Sequence, residues 1–254
     1  MKQRVISGVF IALITIASVL VGGYLTDAIC LFIMIWGCKE INAMFRKKFN
    51  IAVYLVMLIS CLIIYFFVGE ASLVILLEPL LLAGIAVFDE KTSFADVCVV
   101  YFMSIMIGFG CFFIRSVESY NKFLHGYIIL ITYLTDVFAL FAGRMFGKHK
   151  LNERVSPKKT VEGFVGGWLV GGVVSFVWAM IFKFLGFSAL EMLLFSFTLP
   201  ILSQIGDLIF SLIKRYYDIK DFSNLIPGHG GILDRLDSTL TTMLFFGALS
   251  SLIL

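Results

Sequence analysis

Long apolar runs separated by short polar stretches characterise this chain. Each run is roughly 20 residues long, which is the length that an α-helix needs to cross the hydrocarbon core of a bilayer. A membrane β-barrel would instead show alternation over segments of about 10 residues. The pattern therefore predicts an all-α, polytopic integral membrane bundle with about nine transmembrane helices.

The predicted spans follow one another closely. Their approximate ranges are 5–24, 26–44, 51–68, 72–88, 95–114, 127–146, 164–185, 190–216 and 236–254. Residues 115–126 are predicted to be a polar connection, and the side chains of Lys39 and Glu40 near the end of the second span are expected to reach the lipid headgroups. The glycine pairs 166–167 and 171–172 predict close packing of the seventh span.

We expect residues 1–90 to serve packing and assembly, and residues 91–254 to form the catalytic region within one integral membrane unit. The second region carries two polar blocks, at 143–163 and 211–238. Hydrophobic residues make up 60% of the chain and charged residues 15%, whereas soluble domains have about 45–50% and about 25%. One water-soluble core does not accommodate this apolar excess.

The distribution of positive charge predicts the orientation of the chain. If the N-terminus is cytoplasmic, 17 of the 20 Lys and Arg residues lie on the cytoplasmic face and 3 lie on the other. The positive-inside rule favours this arrangement. We therefore expect a multi-pass protein of the cell's inner (plasma) membrane, with the N-terminus and both polar blocks in the cytoplasm.

Four aspartates lie within apolar segments or where such a segment begins: Asp136, Asp207, Asp234 and Asp237. A lone carboxylate in hydrocarbon costs several kcal/mol, so charges at membrane depth indicate function. Either internal ion pairs with Lys and Arg or a bound divalent cation would compensate them, and both readings stay open. Carboxylate oxygens without His or Cys suit Mg²⁺.

Cations gather in or beside the same two polar blocks. They are Arg144, Lys148, Lys158, Lys159, Lys214, Arg215, Lys220 and Arg235. Each one alone is typical of a juxtamembrane cation that contacts anionic lipid. Together with the aspartates and the run Gly228-His229-Gly230-Gly231, they indicate a triphosphate and a second phosphate group as ligands, since glycines let the backbone approach a phosphate closely.

Three motifs carry a family resemblance. In chain order they are Asp136 with Gly143-Arg144-x-Phe146-Gly147-Lys148, then Ser156-Pro157-Lys158-Lys159-Thr160-x-Glu162-Gly163, then Ser211-x-x-Lys214-Arg215 leading to Lys220-Asp221 and Pro227-Gly228-His229-Gly230-Gly231-x-x-Asp234-Arg235-x-Asp237-Ser238. They resemble the signature of the phosphatidate cytidylyltransferases, also called CDP-diacylglycerol synthases. The resemblance is sharp over 136–163 and 203–238. Leu140, Val161 and Phe210 depart from the Tyr, Trp and Glu that are common in the family.

The resemblance implies transfer of the cytidylyl group of CTP to phosphatidate in the bilayer, giving CDP-diacylglycerol and pyrophosphate. We expect Asp207 and Asp234 to hold Mg²⁺, and the resemblance also suggests a second cation nearby. The implied catalytic residues are Asp136, Asp207, Asp234, Asp237, Lys158, Lys159 and Arg235. The implied substrate-binding residues are Arg144, Lys148, Ser156, Lys214, Arg215, Lys220, Asp221, Gly228, His229, Gly230, Gly231 and Ser238.

The resemblance further suggests a homodimer, and we expect no nucleic-acid partner. Three alternatives stay open at this point. A CTP-dependent lipid kinase would release CDP instead of pyrophosphate. A membrane transporter of a phosphorylated substrate would not consume nucleotide, and a non-catalytic lipid-binding scaffold would not need Asp207 or Asp234.

Overall fold

Helices form nearly all of the regular structure in the computed structural model, which describes residues 2–45, 50–228 and 230–251. This part of the chain contains nine α-helices, a 3₁₀ turn at Val68–Glu70 and one antiparallel hairpin. The elements are α1 Lys2–Val21, α2 Tyr24–Met44, α3 Ile51–Phe66, α4 Ala71–Phe88, α5 Phe94–Tyr120, α6 Lys122–Phe146, β1 Lys150–Asn152, β2 Ser156–Thr160, α7 Val161–Phe182, α8 Ala189–Tyr216 and α9 Leu233–Ser250. The predicted all-α class is confirmed.

The predicted polar connection over residues 115–126 is wrong. Helix α5 extends to Tyr120, and α6 begins directly after Asn121. Arg115 stays within α5 and its Nε lies 3.2 Å from Asp27 Oδ1 on α2. The Asn121 side chain caps α6 by accepting two backbone N–H groups. The polar residues in this stretch therefore pair and cap helices and do not form a loop.

Five helical segments in the described part of the chain are long and apolar enough to cross a membrane. They are Val68–Phe88, Phe94–Tyr120, Lys122–Phe146, Val161–Phe182 and Ala189–Tyr216. Helices α2 and α9 each carry three charged residues, and α3 is a shorter apolar helix. A multi-span, membrane-type helical protein is thus confirmed, whereas the count of nine spans stays a prediction.

The chain forms two compact units. The first unit comprises Met1–Ser116 and Tyr216–Leu236, and the second comprises Val117–Arg215 and Asp237–Leu254. In the first unit, an apolar core joins α3, α4 and α5 through Ile64, Val74 and Phe109. The predicted division at residue 90 separates a packing region from a catalytic region. The two compact units do not test that division of function, which stays a prediction.

In the second unit, glycines of α7 bring this helix close to α6. A Cβ atom on Gly167 would lie 2.5 Å from the carbonyl oxygen of Thr135, and one on Gly171 would lie 2.4 Å from Thr135 Oγ1. A Cβ atom on Gly172 would lie 2.8 Å from the Phe197 ring on α8. Any larger residue would separate these helices, so the close packing predicted for the glycine pairs is confirmed.

Candidate active site

The hairpin β1–β2 connects α6 to α7 and is fixed at its base by two side chains. Thr160 is the N-cap of α7, and its Oγ1 accepts the N–H of Gly163 at 3.1 Å. Glu162 accepts the backbone N–H of Lys148 at 3.0 Å and lies 2.6 Å from His149 Nδ1. In the sequence, Thr160 and Glu162 stand out only as parts of a motif. The structure shows that they hold the hairpin against the end of α6.

The glycines of the same motifs allow this close approach. A Cβ atom on Gly147 would lie 2.8 Å from Thr160 Cγ2. A Cβ atom on Gly163 would lie 2.6 Å from the carbonyl oxygen of Ala139. The Thr160 side chain and the α6 backbone therefore occupy the space that a side chain at position 147 or 163 would need. Glycine at both positions lets the hairpin pack directly against the end of α6.

Lys159 of β2 reaches across to α8. Its Nζ lies 2.5 Å from Asp207 Oδ2, and both side chains are about a quarter exposed, at 26% each. Ser211, one turn later on α8, donates its hydroxyl to Asp207 Oδ1 at 3.3 Å. Internal ion pairing, which was the alternative to metal binding, is therefore present at Asp207.

Helices α8 and α9 approach each other closely beside this ion pair. A Cβ atom on Gly206 would lie 2.4 Å from Thr241 Oγ1. Gly206 directly precedes Asp207, and Thr241 donates its hydroxyl to the carbonyl oxygen of Asp237 at 2.8 Å. This close packing places the two aspartates on facing helices of the second unit.

Three of the four predicted aspartates interact within the second unit. The buried carboxylate of Asp237 interacts electrostatically with Asp207, Lys214 and Asp136. Its Oδ1 accepts the N–H of Ser238 at 2.8 Å. Lys214 is itself buried. With Lys159, the cluster brings three aspartates and two lysines together in the second unit.

The fourth aspartate, Asp234, lies in the first unit at the start of α9. It is buried, and its Oδ2 accepts the N–H groups of Phe222 at 2.8 Å and Gly231 at 2.9 Å. A Cβ atom on Gly230 would lie 2.9 Å from this oxygen and 3.3 Å from Asp221 Oδ1. The segment between α8 and α9 is therefore folded around the Asp234 carboxylate.

The glycines of this segment make a tight turn. Gly228 and Gly230 have φ values of 78° and 87°, a left-handed conformation that favours glycine. Gly230 exchanges two backbone hydrogen bonds with Ile226, and the Gly231 N–H binds Asp234. Two of the N–H groups expected to cradle a phosphate thus serve the protein itself. The predicted substrate role of His229 falls outside the described residues.

The start of the same segment is anchored by Tyr217. Its hydroxyl donates to Asp96 Oδ1 at 2.8 Å, and the Asp96 carboxylate also accepts the N–H of Ser93 at 2.8 Å. Burial, followed by this hydrogen bond, raises the pKa of the Tyr217 phenol. The phenol therefore stays protonated and keeps donating to Asp96.

Glu40 on α2 is a candidate that the sequence reasoning missed. The expectation that it reaches the headgroups is wrong, because only 2% of the residue is exposed. Its Oε1 accepts the Ile232 N–H at 2.9 Å and the Ser223 hydroxyl at 2.6 Å, and its Oε2 accepts the Leu233 N–H at 3.0 Å. The only available signal was an acidic residue in an apolar helix.

Most of the predicted phosphate-binding cations are exposed. These are Arg144, Lys148, Lys158, Arg215, Lys220 and Arg235. Arg215 also donates its Nε–H to the Val155 carbonyl oxygen at 3.4 Å, while Ser156 pairs with Asn152 across the hairpin. Of the departures from the family pattern, Leu140 and Val161 are exposed and Phe210 is fully buried. The substrate contacts of all these residues stay predictions.

Comparison of the sequence with known proteins shows the family to which the chain belongs. The sequence profile of the cytidylyltransferase family matches residues 2–253. This chain belongs to that family. It is similar to the phosphatidate cytidylyltransferase of Bacillus subtilis, with 33% identity over 96% of both chains. It is also similar to those of Staphylococcus epidermidis, with 34% identity over 94% of both chains, and Staphylococcus saprophyticus, with 30% over 94%. The prediction of a nucleotidyltransferase is confirmed.

The possible metal-binding side chains of this cytidylyltransferase are relevant to its predicted Mg²⁺ ion. Within residues 2–45, 50–228 and 230–251, no group of three or more His, Cys, Asp or Glu side chains has the arrangement of a metal centre. Mg²⁺ does not require such a centre, because it is commonly held by one or two carboxylates together with substrate phosphates and water. The carboxylates of the second unit fit that mode of binding.

Proposed function

We propose that this protein transfers the cytidylyl group of CTP to phosphatidate, giving CDP-diacylglycerol and pyrophosphate for phospholipid biosynthesis. The observation that carries the proposal is the cluster of Asp136, Asp207 and Asp237 with Lys159 and Lys214 in the second unit. These residues come from all three motifs of the family resemblance. Relatives that match nearly the whole chain at 33% and 34% identity bear the name of this activity.

The residues suit the chemistry. A phosphate oxygen of phosphatidate forms a bond to the α-phosphorus of CTP, the bond from that phosphorus to the bridging β-oxygen breaks, and pyrophosphate leaves with the electron pair. The attacking phosphate is already an anion, so the main difficulty is to bring two polyanions together and to stabilise the leaving group. Five cations supply that compensation: Lys158, Lys159, Lys214, Arg215 and Arg235.

Mg²⁺ is the proposed cofactor, with Asp207 and Asp234 as its ligands, Asp136 and Asp237 in support, and a second cation nearby. The support is the sequence resemblance and the fact that these candidate ligands are all carboxylates. Bound Mg²⁺ would neutralise phosphate oxygens and stabilise the charge on the departing pyrophosphate. The protein's own part is to hold the carboxylates in place through Ser211, Lys159 and the backbone donors of the 222–233 segment.

The proposed setting is the inner (plasma) membrane, with nine spans, a cytoplasmic N-terminus and a cytoplasmic active site. Its support is the uneven distribution of Lys and Arg between alternate loops. Phosphatidate then reaches the site from the bilayer and CTP reaches it from the cytoplasm. A homodimer is proposed from the family resemblance, and measuring the protein mass in detergent tests it.

The deciding experiment uses protein purified in detergent, CTP labelled in the cytosine ring, phosphatidate and Mg²⁺. We expect labelled CDP-diacylglycerol and an equal amount of pyrophosphate. Release of labelled CDP with a phosphorylated lipid would instead establish the lipid kinase. Absence of both products, together with substrate flux into vesicles, would establish a transporter.

A further inference from the structure

The carboxylate of Glu40 occupies the N-terminus of α9. Both of its oxygens accept backbone N–H groups from this end, Ile232 at 2.9 Å and Leu233 at 3.0 Å. These are among the first donors of the helix, which have no partner within the helix itself. The contact joins residues 192 and 193 positions apart in the sequence, all within the first unit.

Two glycines leave space for the Glu40 carboxylate beside the start of α9. A Cβ atom on Gly231 would lie 2.6 Å from Glu40 Oε1 and 2.7 Å from Oε2. One turn before Glu40, a Cβ atom on Gly37 would lie 3.2 Å from the Leu233 side chain. Two glycines on opposite sides thus permit the start of α9 to lie against α2 at the position where the carboxylate is.

Asp234 is the next residue after this contact. Its Oδ2 is held by Phe222 N–H and Gly231 N–H, and both donors belong to the segment that Glu40 also holds through Ser223, Ile232 and Leu233. The two carboxylates therefore accept hydrogen bonds from neighbouring residues of one short segment, Asp234 from residues 222 and 231 and Glu40 from residues 223, 232 and 233. A displacement of that stretch from Glu40 necessarily displaces Asp234.

We propose that Glu40 is a positioning residue for the cytidylyl-transfer reaction, which sets the location of Asp234 by holding the 222–233 segment and the first turn of α9. The inference rests on the proposed function. Helix α2 lies in the region predicted to serve packing and assembly, and Glu40 gives it an effect on catalysis. Glu40 itself is not placed in contact with substrate.

The perturbation is Glu40→Gln, which keeps the size of the side chain. An amide offers one acceptor oxygen and places an NH₂ group against a backbone N–H that the second carboxylate oxygen now accepts. We expect kcat to fall by about tenfold or more, with KM for CTP changed by less than about threefold, because the loss concerns the geometry of the reacting state. Gly231→Ala presses on the same carboxylate from the other side, and we expect the same direction of change.

A second measurement does not depend on turnover. Hydrogen exchange of residues 222–234, followed by mass spectrometry, should become at least about tenfold faster in Glu40→Gln, with little change elsewhere. Asp27→Asn is the matched control, because Asp27 lies at the opposite end of α2 and also accepts two side-chain contacts, from Tyr65 and Arg115. It should leave both exchange in 222–234 and kcat within about twofold of the wild type.

The double variant Glu40→Gln/Gly231→Ala tests whether the two changes act on one contact. Its loss of kcat should be smaller than the product of the two single losses. If Glu40→Gln proves too unstable to purify, Ser223→Ala removes one of the three hydrogen bonds to Glu40, together with the bond that Ser223 Oγ accepts from the Leu225 N–H at 3.2 Å, and should show both effects in weaker form.

Normal kcat in a folded Glu40→Gln protein, or faster exchange spread evenly over the chain, would overturn the inference. Failure of the proposed function is a separate result. If the wild type forms no CDP-diacylglycerol, the exchange measurement still decides whether Glu40 holds the segment.

Discussion

The ion pair between Lys159 and Asp207 provides the sharpest test of the active-site cluster. The perturbations are Asp207→Asn, Lys159→Met and the double variant. Because both side chains are about a quarter exposed, the pair lies between the exposed and the buried class of ion pairs, and its loss should cost about 1–2 kcal/mol of stability. All three proteins should therefore fold, and their thermal midpoints should stay within a few degrees of the wild type.

The expected effects on turnover are much larger than those on stability. Removal of a group that stabilises transition-state charge in a preorganised site costs about 10²–10³ in kcat, and we expect this for Asp207→Asn. For Lys159→Met we expect a loss of about tenfold. The 2.5 Å contact makes the two residues one functional group, so the double variant should be no more than about threefold worse than Asp207→Asn.

The assay is CDP-diacylglycerol formation with saturating CTP, phosphatidate and Mg²⁺. Lys150→Met is the matched control, because Lys150 belongs to the same hairpin and its exposed Nζ donates only to the Pro157 carbonyl oxygen at 2.8 Å. It should retain near-normal kcat. Near-normal turnover in Asp207→Asn would remove this residue from the mechanism. Losses that simply multiply in the double variant would show that Lys159 and Asp207 act independently.

Three further predictions concern the scaffold. Gly167→Ala should lower the free energy of unfolding by about 1–3 kcal/mol, because the added Cβ would lie 2.5 Å from the Thr135 carbonyl oxygen on α6. Gly84→Ala is the control, because a Cβ there has no atom within 4 Å. Equal thermal midpoints for the two variants would contradict the prediction. Glu162→Gln should loosen the hairpin, because it weakens the contacts to Lys148 and His149. We expect faster proteolysis within the hairpin and a kcat about tenfold lower. An unchanged rate of proteolysis would contradict the anchoring role of Glu162. Tyr127→Phe should lower stability by about 1 kcal/mol without affecting kcat, since it removes the buried 2.8 Å bond to Ser196; a drop in kcat would show that this bond reaches the site.

The aspartates illustrate how far sequence reasoning reaches. Asp136, Asp207 and Asp237 were singled out because isolated charges in apolar helices need compensation. The structure supplies part of that compensation as an ion pair with Lys159 and an electrostatic interaction with Lys214. Residue type alone did not distinguish ion pairing from cation binding, because both use the same carboxylates.

The roles of Thr160, Glu162 and Glu40 were beyond the sequence. Thr160 and Glu162 act through backbone N–H groups of residues 148, 149 and 163, and Glu40 acts through those of residues nearly 200 positions away. A backbone donor carries no signature in the amino-acid sequence. The partners of such side chains therefore become visible only when the chain is folded.

By itself, the sequence determined the helical membrane class, the positions of most helices and the residue types of the site, since hydrophobic burial acts on each residue according to its own chemistry. The tertiary structure alone decided which acid pairs with Lys159, that residues 115–126 belong almost wholly to helices, and that Glu40 is buried at the start of α9. The reason is physical. Hydropathy is a property of single residues, whereas hydrogen bonds and ion pairs depend on distances between residues that the linear order does not contain.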